Sequence, residues 1–368
     1  MFVIRIIITF RNRFRKLNLQ KTLFMITIDK LAKLANVSKS TVSKALNDRP
    51  DVSAATKRKI LEISRQYNFT PSAFGKGLKS KITKNIGVIF TREKQPLLNN
   101  PFFSRILEGI EAELALNEYD LILNIIQGNN TNDIPRMIKE RRVDGIILIG
   151  IFNDVFIERI IEEEVKVVQV DPKHNIKSFS QVFIDNEHGG FLATQHLIDN
   201  GHEKIGFISG DLQRLSFRQR LEGYRKALEH YNLIYDKNLL RCGGLEDGYS
   251  QFQSLIKEEK PTAIFCANDY NALLGYNSIT DLGFNIPEDV SVIGFDDIWS
   301  SSVSKPPLST IRVYKEELGS IGVRTLLRII NGELDGPVHV IMPVKLVSRG
   351  SVKNINIAKE SKVMIANE

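Results

Sequence analysis

Short apolar runs alternate with amphipathic helical segments from residue 82 to about residue 350. The runs have the length of buried strands and lie at Ile86–Phe90, Leu121–Ile126, Gly145–Ile149, Val165–Val170, Ile205–Ser209, Ala263–Cys266 and Val290–Phe295. The helical segments lie between them, at residues 102–117, 187–199, 217–230 and 269–282. This alternation is typical of parallel sheets with crossover helices. The length fits two such sheets better than one, with a ligand cleft where they face each other.

Residues 26–69 have a different pattern, which predicts three short helices. The apolar positions of the first helix recur at helical spacing, at Ile28, Leu31, Ala32 and Ala35. Ser38 is a good N-cap for a second helix, Lys39–Leu46, and Ser53 is a good N-cap for a third. A tight turn at Asn36 separates the first two helices, which is the arrangement of a helix-turn-helix.

The charge of the chain is divided unevenly between these two regions. The net charge is +7, but the first 81 residues hold 18 Lys and Arg against 4 Asp and Glu, and the remainder has a net charge of −7. A basic head on an acidic body predicts that only the head contacts a polyanion. The two cysteines, Cys242 and Cys266, lack metal-type spacing and are expected to be reduced thiols of a cytoplasmic protein.

The second predicted helix carries side chains suited to the edges of DNA bases. Lys39, Ser40, Thr41 and Ser43 lie near its N-terminus, and Lys44 lies one turn further on. Their hydrogen-bond donors match the requirements of major-groove recognition. Composition alone leaves a second interpretation equally open, an ordinary capped helix whose lysines are solvated.

The segment from Thr27 to Asn47, TIDKLAKLANVSKSTVSKALN, resembles the N-terminal signature of the LacI (lactose repressor)/GalR-type family of transcriptional regulators. Further motifs resemble that family in the same order: Asn100–Phe103, Arg142–Ile146, Asp185-Asn186, Gly189-Gly190, His196-Leu197, Gly201-His202, Arg220, Gly223-Tyr224, Ala267–Asp269, Gly294–Asp297 and Pro306–Thr310. The resemblance covers roughly residues 26–350. It implies an N-terminal all-α helix-turn-helix domain followed by a periplasmic-binding-protein-like α/β ligand domain of two parallel-sheet subdomains.

The resemblance also implies a set of DNA contacts. These are Thr27, Ser38, Lys39, Ser40, Thr41, Ser43, Lys44, Asn47, Ser53, Thr56 and Leu78. Lys39 and Ser40 lie at the positions that read bases most variably, so they are expected to set the operator sequence. Lys44 replaces the usual arginine, and the missing bidentate fork weakens the case for a guanine contact there.

Residues 72–80 resemble the hinge helix of the family, with Leu78 as the side chain that wedges into the minor groove. Gly75 and Gly77 each cost about 1 kcal/mol relative to alanine inside a helix. We therefore expect the hinge to fold only on DNA. The alternative is a flexible tether with Leu78 exposed.

An effector site is implied at Phe102, Asp171, Arg220, Asn268, Asp296 and Trp299. An arginine, an amide and two carboxylates together supply the donors and acceptors that sugar hydroxyls need. Phe102, Phe217 and Trp299 are the candidate rings for stacking on a sugar. The alternative for each aromatic residue is a place in the core, and a nucleobase ligand also stays open.

The expected domains are an N-terminal extension at 1–24, a DNA-binding domain at 25–70, a hinge at 71–82, a two-lobed effector-binding and dimerisation domain at 83–350 and a polar tail at 351–368. Met25 precedes the first organised segment, so we expect translation to start there, with a basic arm as the alternative. The six histidines are scattered, so neither catalysis nor a metal or cofactor is expected.

The expected function is therefore that of a dimeric, cytoplasmic repressor of carbohydrate-utilisation genes, which binds pseudo-palindromic operator DNA under the control of a small sugar-type effector. Two alternatives belong to other classes. One is a regulator switched by a phosphorylated protein co-repressor. The other is a periplasmic-type sugar receptor without a DNA role, which residues 26–69 argue against.

Overall fold

The structure is a computed structural model that describes residues 27–46, 48–67, 69, 82–92, 99–127, 133–244 and 247–356. The chain divides into two compact units, residues 1–83 and 84–368. The expectations for residues 1–24, Asn47, the hinge at 71–81 with Leu78, and the tail beyond residue 356 lie outside the described residues.

The first unit contains three helices: α1 (Ile28–Ala35), α2 (Lys39–Leu46) and α3 (Ala54–Gln66). The backbone amide of Thr41 donates to the Ser38 hydroxyl at 3.0 Å, and that of Thr56 donates to the Ser53 hydroxyl at 3.3 Å. Both predicted N-caps are thereby confirmed. They satisfy amides that have no partner within the first turn of a helix.

A small apolar core holds the three helices together. It consists of Leu31, Ala32, Ala35, Val42, Ala45 and Ile60. Asn36 ends α1 in the left-handed conformation, with φ of 59°, and its amide contacts the last turn of the helix. This turn allows α2 to pack across α1, as the helix-turn-helix prediction requires.

The second unit consists of two lobes. The first lobe contains β1 (Asn85–Arg92), α4 (Phe103–Leu116), β2 (Asp120–Gln127), α5 (Arg136–Lys139), β3 (Gly145–Ile149), α6 (Asp154–Glu162), β4 (Lys166–Val170) and β5 (Ser180–Ile184). With a later strand, β11 (His339–Met342), its sheet has the order β11-β5-β4-β3-β1-β2, and every neighbouring pair is parallel. Strands β3 and β5 are buried along their whole length, as expected of a sheet covered by helices on both faces.

The second lobe follows along the chain. It contains α7 (Asn186–Asp199), β6 (Ile205–Ser209), α8 (Leu215–His230), β7 (Leu240–Cys242), α9 (Gly248–Glu259), β8 (Ala263–Cys266), α10 (Asp269–Asp281), β9 (Ser291–Asp296), α11 (Trp299–Val303) and β10 (Ser309–Val313). The chain then forms α12 (Lys315–Ile330) on the first lobe, β11, and β12 (Val344–Val347). The second sheet has the order β12-β10-β9-β8-β6-β7, and only its β10–β12 pair is antiparallel. The predicted two-sheet α/β architecture is confirmed.

The chain crosses between the lobes at three places. The crossings are residues 184–186, 313–315 and 342–344. Each connects a strand of one sheet to a helix or strand that packs on the other lobe. Short connections of this kind act as hinge segments between two lobes.

The second lobe continues beyond the boundary that the sequence analysis gives to the polar tail. Ser351 is fully buried, and its hydroxyl donates to the Val292 carbonyl at 2.6 Å. The amide of Ile355 donates to the Asn200 carbonyl at 2.9 Å. Residues 351–356 are thus part of the lobe. In the described ranges, no helix is long and apolar enough to cross a membrane.

Helices α4 and α12 pack closely because each has a glycine where it meets the backbone of the other helix. A Cβ atom at Gly109 would lie 1.9 Å from the Glu316 carbonyl oxygen. Gly109→Ala is therefore expected to lower the free energy of unfolding by about 1–3 kcal/mol through overpacking. Gly336→Ala is the matched control, because a Cβ atom there meets nothing within 4 Å. Urea denaturation compares the two variants, and equal midpoints would contradict the prediction.

Candidate functional site

A cleft lies between the two lobes of the second unit and encloses about 590 Å³, including the open space at its mouth. Among the described residues, the lining from the first lobe consists of Asn100, Pro101, Phe102, Phe103 and Asp171. The lining from the second lobe consists of Arg214, Ser216, Phe217, Arg220, Asn268, Tyr270, Asp296 and Ile298. Asp171, Asn268 and Asp296 lie at or just after the carboxyl ends of β4, β8 and β9. Parallel sheets commonly bind their ligands at this edge.

Arg220 is the central charge of the cleft and is 4% exposed. Its Nε donates to the Asn186 side-chain oxygen at 2.8 Å, and its Nη1 donates to the Ala267 carbonyl at 2.5 Å. The guanidinium carbon lies 3.6 Å from the centroid of the Phe295 ring. Burial lowers the pKa of Arg220, and the neighbouring carboxylates, Asp296 first, oppose this. The guanidinium is therefore held in one orientation by groups that surround it on several sides.

Two carboxylates accompany Arg220 in the lining. Burial raises the pKa of Asp296 to about 6, although Arg220 and Lys315 favour its charged form. Burial also raises the pKa of Asp171. Both residues have left-handed backbones, with φ of 110° at Asp296 and 51° at Asp171. Backbone strain of this kind is common where a side chain must be aimed at a ligand.

Two polar atoms of the cleft have no hydrogen-bond partner within the described part of the chain. They are Nδ2 of Asn268 and Oδ1 of Asp296. The Asn268 side-chain oxygen accepts from the Asn271 amide at 2.8 Å, which fixes its NH₂ group as the unpartnered end. Arg220 Nη1 lies 3.3 Å from Asp296 Oδ1, so this oxygen is ion-paired with the guanidinium. A ligand hydroxyl could accept from the amide and donate to the carboxylate, which would satisfy both atoms.

Asp269 supports the cleft from behind. It is fully buried, and its carboxylate accepts from the Thr310 hydroxyl at 2.6 Å, the Ser301 hydroxyl at 2.7 Å and the Ile298 amide at 3.0 Å. Burial raises its pKa to about 7. These bonds fix the backbone that carries Ile298 into the lining. In the described ranges, no group of three or more His, Cys, Asp or Glu side chains is arranged to hold a metal ion.

Five of the six residues assigned to the effector site from the sequence lie together in this lining: Phe102, Asp171, Arg220, Asn268 and Asp296. Trp299 lies apart from them. Its side chain is 77% exposed and is absent from the described lining, because it occupies the solvent-facing start of α11. We therefore leave Trp299 out of the site.

The structure adds lining residues that the sequence analysis did not assign to the site. They are Asn100, Pro101, Phe103, Arg214, Ser216, Tyr270 and Ile298, whereas Phe217, a candidate stacking ring from the sequence, also lies in the lining. Ser216 precedes Arg220 by four positions in α8, so the two share a helix face. That spacing is a signal in the sequence that would have found Ser216. The rings of Phe102 and Phe103 meet edge to face, with centroids 5.2 Å apart.

The assigned DNA contacts on α2 form an exposed polar surface. Lys39, Ser40 and Lys44 are exposed, whereas Thr41 and Ser43 are half-buried. Both lysines are ion-paired within the unit, Lys39 with Asp29 and Lys44 with Asp51 at 2.5 Å. The hydrogen bond from the Lys44 side chain lowers the pKa of Asp51. Exposed pairs of this kind contribute little to stability, so phosphates or base edges can replace the carboxylates at small cost.

The remaining assigned contacts in the described part of this unit cluster at helix N-termini. Thr27, Ser38 and Ser53 are exposed capping residues of α1, α2 and α3, and Thr56 lies in the first turn of α3. Helix N-termini attract anions through their amides and their dipole. The arrangement therefore suits the phosphate-contacting role implied for these residues.

The raised pKa of Asp296 predicts a pH-dependent contribution to stability. The folded chain binds more protons at this residue than the unfolded chain between pH 3.8 and about 6, so the contribution of Asp296 to the free energy of unfolding falls as pH rises through this window. We expect the Asp296→Asn variant to gain stability relative to wild type as the pH is raised from about 4 to about 7. Urea titrations across this range measure the difference.

Asp297 is the matched control for this prediction. Hydrogen bonds from Arg349 and Arg312 outweigh the effect of burial and lower its pKa. Its stabilising contribution is therefore lost only as the pH falls below the usual range of an aspartate. The difference in unfolding free energy between Asp297→Asn and wild type should stay constant from about pH 4 to about pH 7, whereas the difference for Asp296→Asn should change. If the unfolding free energy of both variants runs parallel to that of wild type across this pH range, the raised pKa of Asp296 is contradicted.

Comparison with known proteins agrees with this architecture. Residues 27–72 match the family described as bacterial regulatory proteins, lacI family, and residues 194–352 match the periplasmic binding protein-like domain. The chain is 33% identical over 341 residues to the HTH-type transcriptional repressor PurR of Photobacterium profundum, covering 90% of this chain and all of the relative.

Two solved structures are similar over most of the chain. The lac repressor dimer bound to operator and the anti-inducer ONPF has a TM-score of 0.78 at 26% identity, and the transcriptional regulator CelR–cellobiose complex has a TM-score of 0.68 at 27% identity. Each comparison covers 89% of this chain and 99% of the other. Taken with the sequence relatives, these similarities show that the chain is a DNA-binding transcriptional regulator and belongs to the LacI family of bacterial regulatory proteins.

Proposed function

We propose that this regulator represses its target genes from the cytoplasm, and that a small neutral sugar bound in the cleft controls its affinity for operator DNA. The observation that carries the proposal is the buried Asn268 Nδ2 donor, which has no hydrogen-bond partner among the described residues, beside the Arg220–Asp296 ion pair. A buried donor that remains unpaired is costly, and a ligand hydroxyl that accepts from it removes this cost while donating to the Asp296 carboxylate. No catalytic step is part of the proposal.

The charges of the lining support a neutral ligand. Within its described part, Arg214 and Arg220 are balanced by Asp171 and Asp296. Aromatic rings from both lobes, among them Phe102 on one side and Phe217 on the other, offer the apolar surface that the ring face of a sugar needs. The similar regulator CelR was solved with cellobiose, which is consistent with a carbohydrate in such a cleft.

For the DNA-binding unit, we propose that Lys39 and Ser40 select the operator sequence from the exposed face of α2. Lys44 would reach the same major groove once its ion pair with Asp51 is replaced by a contact to DNA. Thr27, Ser38, Thr41, Ser43, Asn47, Ser53 and Thr56 would fix the register through phosphates. Leu78 would wedge into the central base step from a hinge that folds on DNA.

The proposed regulator acts as a dimer, so that two recognition helices meet two half-sites. Apolar side chains exposed on the second unit offer surface for a second copy. Leu123 and Ile125 lie on the edge strand β2, and Trp299 and Val303 lie on α11. Apolar surface on an edge strand invites pairing with another chain.

Thermal melting of the full chain against neutral sugars, sugar phosphates and purines tests the effector. A ligand at about 100 times its dissociation constant stabilises the folded state by about 2.7 kcal/mol, which is a clear shift. Stabilisation by a neutral sugar, with a change in operator affinity, supports the proposal. A shift with purines alone would replace the sugar by a nucleobase. No shift with any compound, while operator binding persists, would favour control by a protein co-repressor.

A further inference from the structure

The buried ammonium group of Lys315 lies directly behind the cleft. Lys315 is 5% exposed, and its Nζ donates to the backbone carbonyls of Asp296 at 2.5 Å, Asp297 at 3.1 Å and Val313 at 3.2 Å. Three carbonyls thus use the full donor capacity of the ammonium group. No other lysine in the described ranges is buried, so this position requires an explanation.

Two of the three carbonyls that Lys315 holds, those of Asp296 and Asp297, belong to a strained turn. Asp296 and Asp297 have φ of 110° and 51°, conformations that favour glycine over residues with a side chain. The strain is located where Asp296 presents its carboxylate to the cleft. Such backbone persists only when its surroundings stabilise it, and the ammonium group supplies this stabilisation.

Lys315 also belongs to a crossing between the lobes. It is the first residue of α12, which packs on the first lobe against α4 and β4, whereas the turn at 296–297 follows β9 of the second lobe. The side chain of Lys315 therefore connects the effector-facing turn of one lobe to the helix that enters the other.

Asn186 makes an equivalent connection at a second crossing. It begins α7 directly after the crossing from β5, is 3% exposed, and accepts a hydrogen bond from Arg220 Nε at 2.8 Å. Its own NH₂ group donates back to the Ile184 carbonyl at 3.3 Å, on the far side of the crossing. Lys315 at one crossing thus bonds to the Asp296 end of the Arg220–Asp296 pair, and Asn186 at a second crossing bonds to the Arg220 end.

We propose that Lys315 and Asn186 are positioning residues which tie the Arg220–Asp296 pair to the two crossings and so convert occupation of the cleft into a change in lobe orientation. The proposal rests on the effector site proposed above. A ligand that draws Asp296 or Arg220 toward itself shifts the group to which each crossing is bonded. Without these side chains, the lobes are held by the backbone crossings and packing alone, and their orientation is less restricted.

The test measures the distance between the lobes by double electron–electron resonance on the full chain. Spin labels at Glu158→Cys in the first lobe and Lys257→Cys in the second use two exposed helix positions. Cys242 is exposed and is replaced by serine, whereas Cys266 is fully buried and burial raises the pKa of its thiol, so it stays unlabelled. An excess of unlabelled chain removes distances between protomers.

The variants are Lys315→Met and Asn186→Leu, with Lys315→Arg as the conservative change and Lys345→Met as an exposed lysine control in β12. Wild type and Lys345→Met should give one narrow distance peak without any ligand. Lys315→Met and Asn186→Leu should lose this single peak and give a broad distribution, and Lys315→Arg should restore it. Narrow peaks in both Lys315→Met and Asn186→Leu would overturn the proposal. If Lys315→Met does not fold, the uncharged Asn186→Leu variant decides.

A sugar that stabilises the chain in the melting screen allows the effector proposal and the positioning proposal to be tested separately. Its addition should move the wild-type peak, and the movement should be lost in Asn186→Leu although the sugar still raises the melting temperature. A sugar that binds wild type without moving the peak overturns the positioning role and leaves the effector site intact. If no compound binds, the effector proposal fails, and the peak widths without ligand still decide whether the two residues hold the lobes.

Discussion

Leu31→Ala is expected to abolish DNA binding while leaving the second unit folded. Leu31 is fully buried in the core of six residues that holds α1, α2 and α3 together. Truncating a buried leucine costs about 2–5 kcal/mol. A unit of about 45 residues has roughly 2–7 kcal/mol of stability in total. The variant therefore loses most or all of the free energy that keeps α2 in place for recognition.

Binding is measured by fluorescence anisotropy on a DNA fragment that the wild-type chain selects from a random pool. Leu34→Ala is the matched control, because Leu34 lies in the same helix and is 42% exposed. It should bind DNA nearly as wild type does. The melting transition of the second unit should be the same in all three proteins. Normal DNA affinity of Leu31→Ala would show that this small core does not determine the recognition surface.

Arg220→Met is expected to destabilise the second unit by about 3–5 kcal/mol, because removing one partner of a buried ion pair leaves the other charge uncompensated. Asp296 would lose its nearest cation, and its raised pKa would rise further. Asn186 and the Ala267 carbonyl would each lose a hydrogen bond. We also expect the stabilisation by an effector sugar to disappear, since the guanidinium lines the cleft.

Arg225→Met is the control for this variant, since Arg225 lies in the same helix with its side chain exposed. Its unfolding free energy and its response to sugar should match wild type within about 0.5 kcal/mol. Urea denaturation with and without the sugar measures both effects. An Arg220→Met variant that keeps wild-type stability would mean that the buried pair contributes no net stabilisation, and one that keeps the sugar response would exclude Arg220 from the site.

Local chemistry was sufficient to predict the three described helices of the first unit. Ser38 and Ser53 cap their helices as expected because an N-cap bond is made within three residues of sequence. The apolar positions of α1 follow helical spacing, so the buried face could be identified before the fold was known. The strands Gly145–Ile149, Ile205–Ser209 and Ala263–Cys266 have the predicted ends, since continuous apolar runs mark strands buried on both faces.

The lining of the cleft was only partly predictable. Asp171, Asn268 and Asp296 follow strands, and the carboxyl ends of parallel strands share one edge. Trp299 also follows a strand, β9, but α11 begins there and leaves its side chain in solvent. The local sequence does not contain the direction of that turn. It is fixed by the bonds of Asp269 to Ile298 and Ser301, which come from 29 and 32 residues away.

The amino-acid sequence alone determined the class of this protein: a basic three-helix head followed by a two-sheet α/β body, with polar residues suited to a small-molecule site at its strand ends. Periodicity, capping and charge are local properties, and they can be read along the chain. Only the tertiary structure decided how the lobes are held at the cleft. Lys315 and Asn186 reach Asp296 and Arg220 across 19 and 34 residues of sequence. Such contacts arise from the packing of distant segments, which no local pattern specifies.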